Sequence, residues 1–493
     1  MMNTLKSKEK SYIDGQWIDG LGPSFSSLNP STQKVNWQGN ACNTQDINKA
    51  IDTASDSFDQ WKRSSLDQRM KILNQFKMAL TNHADELASS IQQDMGKPLW
   101  EAKLEVSASI NKIDISTDAY QKKIVELEDY LSTDPSIVNF KPIGPVVVFG
   151  PFNLPCHLPN GHIIPALLAG NTIVYKPSEF TPNVAELYTK CFTETDLPIG
   201  VFNLVHGSKD TGIALSNSKK IKGIFFTGSH QTGLAIHKTL AGRPDILLAL
   251  EMGGNNPLII HDVKNLEAAV YHTIQSAYIT SGQRCVCARR LILSKGFNHD
   301  EFIDKLIKKI NQIHVDNTEE NNNPFMGPLV HQEAAKACLN YEKSLSNQKA
   351  TILKSCLLNN SNPCLIGPSL IDVSSVSNIA DEEVFGPILQ MKKCSSLEES
   401  IEIANSTQYG LSAGILCDSK KDFKYFYQHS NAGIINWNRQ ITGASSKAPF
   451  GGTGASGNHR PSAYFAADYC SYPVSSIIDD KLSIPEKTPP GLS

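Results

Sequence analysis

The pattern of apolar residues changes near residue 145, and this change decides which fold class the sequence predicts. From there on, short runs of β-branched residues alternate with segments long enough to form helices. This alternation is typical of βαβ units, in which parallel strands form a sheet that helices cover on both faces. The sequence therefore predicts a doubly wound α/β fold. The runs are Val146–Val148, Thr172–Tyr175, Ile221–Phe226 and Leu258–Ile260.

A helical segment precedes this alternation. Its apolar residues recur at spacings of three, four and seven, which predicts one long amphipathic helix from about Ser65 to Asp94. Gly96 and Pro98 would end that helix. The recurring residues are Leu73, Phe76, Leu80, Leu87 and Ile91.

A second α/β pattern runs from about residue 253 to 452, and its helix-like stretch Leu266–Thr280 leads to Cys285. We therefore expect one domain from residues 1–125 and 144–252 and another from residues 253–461, with a site in the cleft between them. Residues 126–143 and 462–481 look extended. They either pair as an arm that reaches another subunit or form edge strands on their own subunit. Residues 482–493 form a tail, predicted to be disordered from Pro485 to Ser493.

Composition limits the classes of function. The 493 residues are 40% hydrophobic and 19% charged, with a formal net charge of -3, so the chain offers no basic field for nucleic acid. The start, Met1–Lys6, lacks the apolar core of a secretory signal, and no stretch approaches the roughly 20 apolar residues that span a bilayer. Eleven cysteines suit reduced thiols in a cytoplasm. We expect a small-molecule partner.

Two residues point to covalent chemistry on a carbonyl. Cys285 stands in SGQRC and Glu251 in LEMGG, each beside flexible glycines. A thiol can add to an aldehyde, and a carboxylate can deprotonate the water that later releases the acyl group. Either residue alone is more often structural, so the interpretation depends on their combination with the segments described next.

Three further candidates follow predicted strands. Asn153 stands in GPFNLP, where two prolines and a glycine would aim its amide at a developing oxyanion. Taken alone, it would be a turn residue that binds its own backbone. Lys176 and Glu179 stand in KPSE at the end of the next strand and could bind ribose hydroxyls. Glu179 would also repel a 2'-phosphate, which favours NAD over NADP. A helix N-cap at Ser178 is compatible with that role.

The segment FTGSHQTG follows another predicted strand and opens a helix. Backbone N–H groups at a helix start can bind a pyrophosphate. The segment lacks the usual three-glycine spacing and the lysine of a triphosphate loop. A literal G-x-G-x-x-G at Gly452, Gly454 and Gly457 is discounted because no βαβ unit follows it. The candidate cofactor contacts here are Gly228, Ser229, His230, Gln231, Thr232 and Gly233.

The segment EEVFGP offers Glu383 for the second ribose and the ring of Phe385 to pack beside a nicotinamide. Alone, it would be a strand-to-turn junction. Cys285 with Cys287, and His157 with His162, do not complete a four-ligand set, so no metal site is predicted.

Together, PFNLP, KPSE, FTGSHQTG, LEMGGNNP, GQRC, EEVFGP and PFGGTGASG occur in the order of the aldehyde dehydrogenase superfamily, which the chain resembles over nearly its whole length. The resemblance implies an NAD-binding domain, a catalytic α/β domain and a small β oligomerisation arm in a homodimer or homotetramer. It makes Cys285 the nucleophile, Glu251 the general base and Asn153 the oxyanion donor. It places Lys176, Glu179, Ser229, Glu383 and Phe385 along the NAD site.

The segments HLPNGHIIPALLAGNT, MGGNNPLII, GQRCVCARR and SGNHRPSAYFAADYCSYP are similar to one branch of that superfamily, which acts in bacterial arginine catabolism. This similarity implies oxidation of N-succinyl-L-glutamate 5-semialdehyde. Phe152 stands where the superfamily usually has Trp, and Cys156 where the branch more often has Gly. Phe152 keeps a ring on the tunnel wall, whereas Cys156 could alter substrate fit or add an oxidisable thiol.

A substrate with several carboxylates needs fixed donors at a distance from its aldehyde. The loop around Gly443, Ala444 and Ser445 offers hydroxyls and backbone N–H groups for them, with Arg439 or Arg460 assisting. The loop could equally be a flexible turn. Three alternatives stay open for the whole chain: a dehydrogenase of another carboxylated semialdehyde, an acylating enzyme that passes its thioester to coenzyme A, and a non-enzymatic descendant of the family.

Overall fold

The computed structural model describes residues 9–133, 136–318, 322–484 and 487–492. The N-terminal segment Met1–Lys6 lies outside the described residues, as do residues 485, 486 and 493 of the predicted tail.

Strands and helices alternate along most of the chain. The strands are β1 (Ser11–Ile13), β2 (Gln16–Ile18), β3 (Ser24–Leu28), β4 (Val35–Asn40), β5 (Ser136–Pro142), β6 (Pro145–Phe149), β7 (Thr172–Lys176), β8 (Phe202–Leu204), β9 (Gly223–Gly228), β10 (Leu247–Met252), β11 (Asn256–Ile260), β12 (Ala288–Leu293), β13 (Thr351–Lys354), β14 (Leu358–Asn359), β15 (Asn362–Ile366), β16 (Ser369–Asp372), β17 (Ile388–Lys393), β18 (Tyr409–Gly410), β19 (Ser412–Leu416), β20 (Ile434–Trp437), β21 (Pro449–Phe450), β22 (Thr453–Gly454), β23 (Ser462–Ala463) and β24 (Ser471–Ile477). The helices are α1 (Thr44–Trp61), α2 (Leu66–Asn82), α3 (Ala84–Met95), α4 (Leu99–Tyr120), α5 (Glu126–Leu131), α6 (His157–Ala169), α7 (Pro182–Thr193), α8 (Lys209–Asn217), α9 (His230–Thr239), α10 (Leu266–Ala277), α11 (His299–Ile310), α12 (Gln332–Asn347), α13 (Leu397–Asn405) and α14 (Lys420–His429).

The first large sheet has the strand order β10-β9-β6-β7-β8-β1-β2 within the described residues. Its strands from β10 to β8 are parallel, and β1 and β2 join antiparallel at one edge. β6 and β7 are buried along their whole length, which explains why they read as continuous apolar runs rather than alternating ones. The chain proceeds from β6 outward to β8 and then returns to place β9 on the other side of β6. Such a reversal opens a crevice at the carboxyl ends of the strands.

The second large sheet has the order β13-β16-β17-β12-β11-β19-β20 within the described residues. Its strands from β16 to β20 are parallel, and only β13 joins antiparallel. The run Leu258–Ile260 thus belongs to this sheet, where its three residues are fully buried. The prediction of an α/β fold with parallel sheets is confirmed.

The predicted single helix from Ser65 to Asp94 is wrong, because the segment forms two helices, α2 and α3, that meet at His83. His83 leaves the helical conformation (φ -104°, ψ 19°), and its ring contacts Glu86 at 2.8 Å and Glu194 at 2.9 Å. Apolar periodicity continues across the break, so the pattern hides it. The predicted end is correct, since Gly96 closes α3 in the left-handed conformation with φ 73°.

β5 and β24 pair antiparallel with each other over their whole length and join neither large sheet. Residues 126–143 and 462–481 therefore meet, but they are not extended throughout. Residues 126–131 form helix α5, which continues a π-helical turn at Gln121–Val125, and Tyr464–Tyr469 forms a 3₁₀ turn. The β5–β24 ribbon, formed by these two strands, carries exposed apolar groups, with Tyr472 48% and Ile477 78% accessible.

Among the described residues, no helix combines the length and the apolar character needed to cross a bilayer.

Candidate active site

Four predicted site residues lie where neighbouring parallel strands of the first sheet end. Asn153 lies in the loop after β6, Lys176 ends β7, Ser229 follows β9 and Glu251 is the penultimate residue of β10. The strand register aligns these ends, because Phe149 is opposite Lys176 and Glu251 is opposite Thr227. Parallel strands present their carboxyl ends at the same edge, so the fold brings these side chains to one crevice.

The chain reaches Cys285 through a strained turn. α10 ends at Ala277, and then Thr280, Ser281 and Gly282 all have positive φ, at 57°, 53° and 74°. Side chains rarely adopt this conformation, so the surrounding structure must enforce it. A Cβ on Gly282 would lie 2.2 Å from the carbonyl oxygen of Gly386. The turn leaves Cys285 partly exposed, whereas Cys287 is buried.

Side chains from other elements fix this turn. Arg284 Nη2 lies 2.7 Å from Glu101 Oε1 on α4, and Arg284 Nε donates to Thr280 Oγ1 at 2.7 Å. Thr280 Oγ1 also donates to Glu101. On the far side, Asn256 Nδ2 donates to the carbonyl oxygen of Cys285 at 2.7 Å. The thiol is therefore carried on a backbone that is held from both sides.

Asn153 lies beside the nucleophile turn. Its Nδ2 donates to the carbonyl oxygen of Gln283 at 3.0 Å, two residues before Cys285. An amide nitrogen has two hydrogens, so Asn153 keeps one donor for an oxyanion at Cys285. This geometry suits the role that the sequence suggested for it.

Glu251 is buried at the end of β10. Its Oε1 accepts the N–H of Ser462 at 3.1 Å, while Oε2 has no hydrogen-bond partner among the described residues. Burial raises the pKa of Glu251 well above that of an ordinary carboxyl group, although Ser462 and the charge of Lys112 oppose the shift. An unsatisfied buried carboxylate oxygen is what a general base requires when it is to bind a reacting water.

Two carboxyl groups also affect the pKa of Cys285. Burial raises the pKa of its thiol above the usual range, and the charges of Glu383 and Glu251 raise it further. The two carboxyl groups therefore lie within electrostatic range of the sulfur.

Glu383 and Phe385 lie next to this centre. Glu383 Oε1 accepts the N–H of Gly254 at 3.3 Å, and burial raises the pKa of Glu383 to about 7. The ring of Phe385 stands edge-on to Phe152 with centroids 5.7 Å apart, and the guanidinium of Arg289 lies over the Phe385 ring, 5.6 Å from its centroid. Phe152 therefore keeps an aromatic wall at the position where the superfamily usually has Trp.

The start of α9 fits the pyrophosphate of a dinucleotide. Ser229 caps the helix, with its Oγ accepting the N–H of Thr232 at 3.2 Å. The first N–H groups of a helix have no acceptor within it and can bind an anion. Gly233 allows close packing of α9 on β10, because a Cβ there would lie 2.4 Å from Met252 Sδ. Gly228, His230 and Gln231 complete the strand-to-helix junction at the same edge.

Lys176 and Glu179 fit the ribose end of such a ligand. Lys176 is buried, and its Nζ donates to the carbonyl oxygen of Pro177 at 2.8 Å. Burial lowers the pKa of Lys176, and the charge of Glu179 opposes that shift. The two side chains thus lie within electrostatic range of each other and can share ribose hydroxyls.

The loop predicted to bind substrate carboxylates is largely in solvent. Gly443, Ala444 and Ser445 are exposed, and so are Arg439 and Arg460. The next residue turns inward, where Ser446 Oγ accepts a hydrogen bond of 3.4 Å from Lys112 Nζ. The loop therefore approaches the interior through Ser446.

Sequence reasoning missed the contribution of α4. Glu101, Glu105 and Lys112 all stand on this helix, four and seven residues apart, and are buried at the site. The spacing places them on one helix face. Charged residues are rarely buried, and the sequence carries no local signal that these three are.

Residues 17–473 match the aldehyde dehydrogenase family. The chain therefore belongs to that family, which confirms the resemblance seen in the sequence. Three curated relatives are named N-succinylglutamate 5-semialdehyde dehydrogenase. The one from Ectopseudomonas mendocina (strain ymp) is 47% identical over 482 residues, 98% of this chain and 99% of the relative. The one from Burkholderia ambifaria is 46% identical over 481 residues, again 98% of this chain and 99% of the relative.

Solved structures are also similar. An E. coli NADP-dependent enzyme superposes with a TM-score of 0.88 at 26% identity and covers 95% of this chain and 97% of its own. Betaine aldehyde dehydrogenase from Staphylococcus aureus in complex with NAD+ has a TM-score of 0.88 at 25% identity and covers 97% of this chain and 96% of its own. The family and these neighbours make a nicotinamide dinucleotide the cofactor class.

Proposed function

We propose that the protein oxidises N-succinyl-L-glutamate 5-semialdehyde to N-succinyl-L-glutamate with NAD as the acceptor, in arginine catabolism. The substrate assignment rests on curated relatives of that name at 46% and 47% identity over almost the entire chain. The chemistry rests on one observation of the structure: Asn153 Nδ2 donates to the carbonyl oxygen of Gln283, two residues before Cys285, at 3.0 Å.

In this reaction Cys285 loses its thiol proton and Sγ forms a bond to the aldehyde carbon, while the carbonyl π bond breaks to an oxyanion that the remaining N–H of Asn153 stabilises. A bound nicotinamide would supply the acceptor for the hydride of that carbon, and Cys285 would then hold the acyl group as a thioester. Glu251 removes a proton from water, whose oxygen attacks the thioester and releases the carboxylate and the thiol. The balance is one aldehyde, one water and one NAD+ consumed, with one carboxylate, one NADH and two protons formed.

Cys285→Ala removes the bond-forming atom, so we expect no NADH formation above background while NAD binding, measured by fluorescence titration, is retained. Asn153→Ala should lower kcat by about 10²–10³, the loss typical of one oxyanion donor. Full activity of Cys285→Ala would refute the assignment of the nucleophile.

The choice of NAD over NADP rests on Glu179. Its carboxylate follows β7 at the edge where the ribose would lie, and a negative charge there repels a 2'-phosphate. The similar E. coli structure is of an NADP-dependent enzyme, so fold alone does not decide between the cofactors.

We further propose that the protein forms a cytoplasmic homodimer or homotetramer. The β5–β24 ribbon stands apart from both sheets and exposes apolar side chains. Such a surface marks an interaction site on an otherwise soluble protein. Its proposed domains are residues 1–125 with 144–252 for NAD, and residues 253–461 for catalysis. Analytical ultracentrifugation measures the subunit number directly.

The decisive test of substrate is a screen of NADH formation across an aldehyde panel, with NADP in parallel. The proposed substrate should give the highest kcat/KM, above plain glutamate 5-semialdehyde. Omitting coenzyme A should leave the rate unchanged, because Glu251 activates water. A requirement for coenzyme A would show an acylating enzyme instead.

A further inference from the structure

A buried lysine lies in the active-site region and takes no part in the chemistry described above. Lys112 on α4 is 4% exposed. Its Nζ donates one hydrogen bond, to Ser446 Oγ at 3.4 Å, and forms no ion pair among the described residues. A buried ammonium group without a carboxylate partner is costly, and proteins retain one where a ligand supplies the missing charge.

The position of Lys112 connects it to the catalytic centre. Its charge interacts with that of Glu251, and its contacts with Gly161 on α6 and with Ser446 place it on the inner face of α4. Burial lowers the pKa of Lys112 to about 8, so the group remains largely protonated at neutral pH. The two histidines nearby are neutral, because burial and the charge of Lys112 lower the pKa of His157 and of His162 to about 3.

Two small residues contact the side chain of Lys112. Gly161 on α6 faces it, and a Cβ at that position would lie 3.3 Å from Lys112 Cε and 3.5 Å from Nζ. Any larger side chain on Gly161 would crowd the lysine. Ser446 accepts the hydrogen bond of Lys112 Nζ and can turn its hydroxyl hydrogen toward the same ligand. Lys112 and Ser446 together form a pair of donors beside a glycine.

We propose that Lys112 determines the substrate specificity, by forming an ion pair with a carboxylate of the aldehyde substrate while Ser446 donates a second hydrogen bond to it. This inference rests on the proposed function, whose substrate carries one carboxylate on its glutamate part and another on its succinyl part. Either can supply the charge, and the experiment below separates them.

The first measurement compares kcat/KM of the wild type and of Lys112→Met for N-succinylglutamate 5-semialdehyde and for hexanal, an uncharged aldehyde. A hydrogen bond to a charged group contributes roughly 1.5–3 kcal/mol. We therefore expect Lys112→Met to lower the specificity ratio, which is kcat/KM for N-succinylglutamate 5-semialdehyde divided by kcat/KM for hexanal, by about tenfold to a hundredfold. The loss should appear mainly in KM, since the carboxylate is remote from the reacting carbon. Lys103→Met, which removes an exposed lysine from the same helix, should keep the wild-type ratio.

N-acetylglutamate 5-semialdehyde identifies the carboxylate, because it lacks the succinyl one. An equal penalty for the acetylated and succinylated substrates assigns Lys112 to the glutamate carboxylate, and a penalty confined to the succinylated one assigns it to the succinyl carboxylate. Gly161→Ala keeps the charge but crowds it, so it should lower the same ratio without removing the lysine.

Binding gives a readout independent of turnover. The product N-succinylglutamate should raise the melting temperature of the wild type and not that of Lys112→Met. An equal fall in kcat/KM for both aldehydes would overturn the proposal, because it would show that Lys112 acts through Glu251. If Lys112→Met keeps the wild-type preference for the succinylated substrate over hexanal, the role of Lys112 is wrong while the proposed function stands. Equal wild-type values for both aldehydes would overturn the proposed function itself.

Discussion

Lys97 Nζ lies 2.6 Å from Glu105 Oε2, and the two side chains are 0% and 1% exposed. The pair holds the loop that carries Asn153 at both ends. Lys97 donates to the carbonyl oxygen of Asn153 at 2.8 Å, and Glu105 accepts the N–H of Cys156 at 3.0 Å. The conformation of this loop thus depends on two charges that the solvent does not reach.

Lys97→Met should therefore unfold more easily than the wild type. Removing one partner leaves the carboxylate of Glu105 buried without its cation, which typically costs about 3–5 kcal/mol. Urea unfolding followed by circular dichroism measures the change. The double variant Lys97→Met with Glu105→Leu should recover part of the loss, because neither charge of this pair then remains buried.

The surface pair of Lys77 and Asp114, at 2.7 Å, provides the control. Lys77→Met should change stability by about 0–1 kcal/mol, as is usual for exposed pairs. Equal effects of the two lysine substitutions would contradict the special role of the buried pair.

Glu251→Gln should separate the two halves of the reaction. The variant retains Cys285, so the first turnover should still release about one NADH per active site. Steady-state turnover should fall by about 10²–10⁴, because the base that activates water is missing. Stopped-flow absorbance of NADH resolves the burst from the slow phase. An unchanged rate after the burst would remove Glu251 from acyl release.

The sequence predicted the parts of the site that lie at strand ends. Asn153, Lys176, Ser229 and Glu251 each follow or end an apolar run, and parallel strands bring such ends together whatever the lengths of the connections between them. Cys285 was predicted from its neighbours in SGQRC and not from a strand end. These predictions needed only local patterns and one rule of topology.

The contribution of α4 could not be read in this way. Glu101, Glu105 and Lys112 look like ordinary polar positions of a helix, and only packing against α6 and the nucleophile turn shows that they are buried. The helix break at His83 could not be predicted for a related reason, because its ring contacts Glu194, more than a hundred residues away. Local periodicity does not predict side-chain contacts between segments that are distant in the sequence.

Gly282→Ala tests the strained turn before Cys285. A Cβ would meet the carbonyl oxygen of Gly386 at 2.2 Å, and alanine tolerates the positive φ of this position poorly. The variant should lose about 1–3 kcal/mol of stability and a larger fraction of its activity. Gly242→Ala is a matched control, because Gly242 also has a positive φ, 87°, but no atom lies within 4 Å of its Cβ position. Similar losses in activity for both variants would show that close packing at Gly282 is unimportant.

Glu179→Gln should relax the preference for NAD. The substitution removes a negative charge at the ribose end and retains a hydrogen-bonding group. The ratio of kcat/KM for NADP to that for NAD should rise by about tenfold, which corresponds to roughly 1.4 kcal/mol of lost repulsion. Glu267→Gln, on the surface beside Lys305, should leave the ratio unchanged. A constant ratio in Glu179→Gln would show that another group selects the cofactor.

Glu383→Gln should stabilise the protein at neutral pH. Burial raises the pKa of Glu383 from an ordinary 4.5 to about 7, so the folded state holds this proton more tightly than the unfolded chain does. The stability that protonation contributes is complete below pH 4.5 and is lost as the pH rises to about 7. The glutamine side chain does not titrate, so the variant keeps this stability at every pH. Its melting temperature should equal that of the wild type near pH 4.5 and exceed it at pH 8, where a pKa shift of this size corresponds to about 3 kcal/mol. A difference that is constant from pH 4.5 to pH 8 would show that Glu383 is ionised throughout, and that its carboxylate is already stabilised before any ribose binds.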